Sequence, residues 1–94
     1  MENIEKAQNL ENEAIEMAKS KWDKLSAEDI REYEDFQRVY YPLKSEYKNN
    51  NNGTALLDIA KYYHGFVLFL CCDGGNLKNC KRARQEILED LKKY

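Results

Sequence analysis

Proline, histidine and glycine are scarce in this chain. It has one Pro, one His and four Gly in 94 residues. That excludes collagen-like and Pro/Gly-rich disordered classes. It also leaves any imidazole chemistry to His64 alone. Long apolar runs are missing as well. The longest, Phe66–Cys72, is far shorter than the roughly 20 residues that a helix needs to cross a bilayer. No membrane role is expected. The three cysteines, Cys71, Cys72 and Cys80, are odd in number and contain no Cys-x-x-Cys. A secreted disulfide framework is therefore not expected. The opening residues, Met-Glu-Asn-Ile-Glu-Lys, carry no signal-peptide h-region, so the expected location is the cytoplasm.

What is present favours helix. The chain is 43% hydrophobic and 34% charged, with a net charge of −2. That balance suits one ordered domain over 1–94 and demands no nucleic acid. Charge is uneven, however. Residues 1–47 are net −5 and residues 48–94 net +3. A solvated helical surface accounts for this, as does an acidic face turned to a basic partner.

Apolar spacing predicts an antiparallel bundle of four helices, approximately 2–25, 27–41, 55–72 and 77–93. In the first, Ile4, Ala7, Ala14, Ala18, Trp22 and Leu25 share a stripe. Ser26 is a good N-cap for the second, with Glu28 and Asp29 in the first turn. Ile30, Tyr33, Phe36 and Tyr40 line its inner side. Pro42 should end or kink this helix near Tyr40, leaving at most an extra helical turn at 43–48. The Asn-rich segment 48–53 reads as a mobile surface loop. Thr54 is the expected cap of the third helix. Leu56, Ile59, Ala60 and Tyr63 face inward there, followed by the apolar run. Asp73-Gly74-Gly75-Asn76 is a strong stop. Leu77, Cys80, Ile87, Leu88 and Leu91 form the stripe of the fourth helix. Phe66–Leu70 could also be a buried strand, but no second run offers it a partner.

Catalytic signatures are weak. His64 sits at the edge of the inner stripe, with no Ser or Asp patterned as a triad. His64 and Cys71 lie two turns apart, roughly 10 Å along a helix, and zinc needs ligands about 2.0–2.3 Å away. No metal and no cofactor is expected, and the chain reads as a non-enzyme. Cys72 and Cys80 flank the Gly-Gly turn and could approach each other as buried apolar groups or as a redox pair.

Three sets of residues stand out as candidate binding groups. Tyr62, Gly65 and Phe69 lie on the face of the third helix opposite its main stripe. Gly65 costs about 1 kcal/mol relative to Ala in mid-helix, a cost often offset by close approach of another helix. Arg84 interrupts the apolar stripe of the fourth helix, where it must snorkel, pair with an acid or face a partner. Tyr62, Gly65, Phe69 and Arg84 thus form a candidate partner interface. Lys78, Lys81, Arg82 and Arg84 make a basic start to the last helix, an alternative site for an anion or nucleic acid. That many cations near a positive dipole end are unfavourable unless something negative lies beside them. The acidic face of the second helix, Glu28, Asp29, Glu32, Glu34 and Asp35, could supply it. The favoured expectation is a small cytoplasmic protein-binding module that partners another protein or a second copy of itself. Its size suits an inhibitor or accessory subunit, such as a phage or mobile-element antagonist of a host defence system.

Overall fold

The computed structural model describes residues 2–72 and 77–94, with the side chain of Leu77 outside the description. The expected Asp73–Asn76 stop and its anion-binding backbone lie outside the described residues. Four helices form an all-α bundle: α1 (Glu2–Lys21), α2 (Ala27–Asn49), α3 (Gly53–Leu70) and α4 (Leu77–Leu91). Among the described residues there is no strand, so Phe66–Leu70 is helix.

Successive helices run antiparallel. Tyr33 near the start of α2 meets Tyr63 deep in α3. Ile87 of α4 packs on Gly65 of α3. The most extensive packing is nevertheless between α1 and α3, which run parallel. Gly53 lies against Asn3 at one end, and the Cys71 thiol lies 3.8 Å from the Met17 carbonyl at the other. Small side chains allow this approach: Ala7, Ala14, Ala18 and Ala60 are all buried. α3 touches each of the other helices and is the centre of the fold.

The core is aromatic. Phe36 and Phe66 stack with ring centroids 4.3 Å apart. Tyr40 and Tyr63 lean together at 4.6 Å. Stacked and edge-to-face pairs of this kind add about 0.5–1.5 kcal/mol beyond the area they bury. The buried phenols need polar partners, and the Tyr33 and Tyr63 hydroxyls lie 2.7 Å apart. Gln37 donates to Tyr63 at 3.2 Å. Burial, followed by the hydrogen bond to Tyr33, pushes the Tyr63 pKa well up, so this phenol stays neutral.

Five helix boundaries differ from the expected ranges, those of α3 and the end of α4 by two residues each. α1 stops at Lys21, and Trp22–Lys24 tighten into a single 3-10 turn. Such tightening is common at helix ends. It leaves Trp22 43% exposed, with its ring edge-on to Tyr33 at 6.3 Å, outside the core that its spacing suggested. α2 does not stop at Pro42 but continues to Asn49. A proline inside a helix costs about 3 kcal/mol, largely through the lost donor and a clash with the carbonyl four residues back. Here both Pro42 and Arg38 are exposed, so water can serve the Arg38 carbonyl. Tyr40, Leu43 and Tyr47 pack on the core and hold the helix in line across the proline.

The Asn-rich break is correspondingly narrow. Asn50 caps the end of α2: its N–H donates to the Glu46 carbonyl, and the Asn51 N–H donates to the Lys48 carbonyl. Asn51 takes a left-handed φ of 54°, a conformation asparagine tolerates better than most residues. Asn52, not Thr54, caps α3: its side chain accepts from the Ala55 N–H at 3.2 Å.

Candidate interaction surface

The face of α3 that carries Asp58, Tyr62 and Gly65 is a seam against α4 and the residues after it. The Tyr94 hydroxyl donates to Asp58 at 3.3 Å, and its ring meets Tyr62 edge-on at 5.9 Å. A Cβ at Gly65 would stand 3.5 Å from Ile87 Cδ1. Tyr62 and Gly65 are therefore half-buried against their own chain, which leaves less of each to a partner. The gap at Gly65 is an ordinary van der Waals distance, met by the far end of a flexible side chain. Gly65→Ala is thus expected to raise stability by about 0.5–1 kcal/mol. Chemical denaturation would check this, and a loss of stability would mean that α3 and α4 sit closer than this geometry.

Arg84 leaves the interface set. It is 4% exposed. Its Nε donates to Glu32 at 2.8 Å, and one terminal nitrogen reaches Asp29 at 3.1 Å and Glu32 at 2.7 Å. The other donates to the Phe69 carbonyl at 3.1 Å. That carbonyl lies in the last turn of α3, where backbone acceptors lack helical donors. One guanidinium thus ties α4 to α2 and caps α3. Every nitrogen of the guanidinium is engaged within the chain.

The other predicted charges divide. Lys81 pairs with Glu28 at 3.0 Å, beside the Arg84 clamp. Asp35 pairs with Arg38 on its own helix at 2.5 Å. Glu34 is exposed, as are Lys78 and Arg82. The negative group beside the basic start of α4 is therefore the chain's own α2. The basic set as a phosphate site loses Arg84 outright and has Lys81 engaged.

A second buried ion pair had no place among the predicted sites. Glu11 is only 2% exposed. Its Oε2 accepts from Lys44 Nζ at 2.6 Å and from Gln8 at 2.8 Å, while Oε1 has no hydrogen-bond partner. The Tyr40 phenol lies beside this carboxylate; burial first, and then the Glu11 charge, push its pKa well up. This pair links α1 to α2, whose backbones otherwise stand apart. A cleft of about 180 Å³ opens beside it, lined by Ile4, Ala7, Gln8, Tyr40, Lys44 and Leu56 among others. The signal was in the spacing. Ile4, Ala7, Glu11, Ala14 and Ala18 follow the i, i+3, i+4 pattern of an inner stripe, with Glu11 at its midpoint.

His64 meets Glu13 of α1 at 3.4 Å, and Cys71 is turned toward Met17. Among the described residues, no three His, Cys, Asp or Glu side chains converge as a metal site would require. The large apolar side chains that α3 leaves exposed are Leu68 and Phe69, 49% and 39% exposed. Two adjacent apolar side chains at the solvent side of the most buried helix are a feature that the fold itself leaves unexplained. Comparison of the chain with protein-family models, curated proteins and solved structures gives no match. Among the described residues, no helix is long and apolar enough to cross a membrane.

Proposed function

We propose that this chain is a non-enzymatic, cytoplasmic protein-binding module, an inhibitor or accessory subunit, that docks another protein on the outer edge of α3. The observation that supports this reading is the exposure of Leu68 and Phe69. Phe69 is the most exposed member of the predicted interface set. Scattered apolar residues are ordinary on protein surfaces. Two in succession at the end of a helix whose inner faces are filled give a partner an aromatic anchor, the residue type enriched at interface cores. Below them the clamp from Arg84 to the Phe69 carbonyl fixes the backbone, so the anchor is presented with little ordering cost.

Leu68→Glu tests this directly. Leu68 is exposed, so the change should alter stability by no more than about 0.5 kcal/mol. It should weaken capture of the partner by at least about tenfold, since it places a charge in an apolar contact. Capture can be measured with immobilised protein and native host extract. Undiminished capture by a folded Leu68→Glu protein would move the docking surface elsewhere. Light scattering over a concentration series identifies the case in which the partner is a second copy.

A further inference from the structure

The Cys72 and Cys80 sulfurs lie 2.6 Å apart, against about 2.05 Å for a covalent S–S bond. Cys72 follows the end of α3, and Cys80 sits in the first turns of α4. The third cysteine is turned away, with the Cys71 thiol directed at the Met17 carbonyl of α1. Cys72 is half-buried and Cys80 buried. Cys72 is thus the more accessible sulfur of a touching pair. That difference suits Cys72 to attack first and Cys80 to resolve.

We infer that Cys72 and Cys80 form a reversible thiol–disulfide site that cross-links α3 to α4 when the chain meets a low-molecular-weight disulfide. The chemistry is two successive exchanges. The Cys72 thiolate, its proton released to solvent, attacks one sulfur of the small disulfide. A mixed disulfide forms on Cys72 and one small thiolate leaves. Cys80 then loses its proton and attacks the Cys72 sulfur, forming the Cys72–Cys80 bond and expelling the second small thiolate. Both departing thiolates take up protons. Two protein thiols are oxidised and one small disulfide is reduced to two thiols. Little movement is needed, because the sulfurs already touch. Cys71 has no part in it: its thiol is turned to the Met17 carbonyl of α1.

The site does not depend on the docking reading, and its test needs no partner. The intact chain is incubated with oxidised glutathione, its remaining thiols are alkylated, and the product is analysed by mass spectrometry with peptide mapping. The expected wild-type product has lost about 2 Da, the two thiol hydrogens of one internal disulfide. It carries a single alkylated cysteine, Cys71, and a Cys72–Cys80 cross-linked peptide. Its thermal midpoint should rise by about 5 °C or more, because the cross-link restricts the unfolded chain. Cys80→Ser should stop at a glutathione adduct on Cys72, and Cys71→Ser should behave as the wild type. Helical circular dichroism of each variant confirms that it is folded, and Cys80→Ala serves in place of Cys80→Ser if the latter is not. A wild-type product that keeps a glutathione adduct on Cys72, links through Cys71 or joins two chains would overturn the inference.

Discussion

Arg84→Met lowers the stability of the bundle by about 2–4 kcal/mol. Removing one partner from a buried ion pair costs about 3–5 kcal/mol, because the other charge is left without compensation. The lower figure applies here because the Asp29 and Glu32 side chains are each about a quarter exposed and can recover some hydration. The Phe69 carbonyl also loses its donor. In a domain of this size a change of 1 kcal/mol shifts the thermal midpoint by about 4–8 °C, so the loss should be plain in a melting curve. Adding Asp29→Asn and Glu32→Gln to Arg84→Met should recover part of it, since no unpaired charge then remains. A single variant as stable as the wild type would show that the clamp contributes nothing net, and that Arg84 is free for a partner after all.

The pair between α1 and α2 should behave asymmetrically. Lys44→Met strands the Glu11 carboxylate, whose side chain is 3% exposed, and should cost about 3–5 kcal/mol. Glu11→Gln leaves Lys44 instead. That side chain is 22% exposed and its long stem can carry the ammonium to water, so a smaller cost of about 1–2 kcal/mol is expected. The double variant Glu11→Leu, Lys44→Met should come close to wild-type stability, because an apolar pair of similar volume avoids the desolvation penalty. Chemical denaturation of the three variants measures the pattern. Equal costs for the two single changes would mean that Glu11 is better hydrated than its burial indicates.

The two clamps were unequally legible in the sequence. Arg84 announced itself, since it stands between Cys80 and Ile87 on an otherwise apolar stripe and its candidate acids lay together on α2. Glu11 occupies an equally telling position, but a carboxylate among small alanines on an acidic helix reads as solvent-facing. Its partner Lys44 lies in another helix, and periodicity carries no information about pairing across helices. Pro42 misled for a related reason. Its cost is local and visible in the sequence, whereas the packing of Tyr40, Leu43 and Tyr47 that outweighs it is tertiary. The capping role of Asn52 was obscured by Thr54, an equally good capping residue two positions later. Helix number, the central place of α3 and the inner stripes were legible because each rests on spacing within one segment. The partial cover over Tyr62 and Gly65 was not, because it depends on how α4 and Tyr94 return along α3.

The most direct measurement compares three proteins side by side on native host extract: wild type, Leu68→Glu, and the charge reversal Lys78→Glu with Arg82→Glu. A docking face at Leu68 and Phe69 predicts a bound protein that is retained by the charge-reversed variant, resists nuclease and is lost with Leu68→Glu. Capture that survives Leu68→Glu but disappears on charge reversal, rising salt or nuclease treatment would contradict it, and would place the working surface at the start of α4.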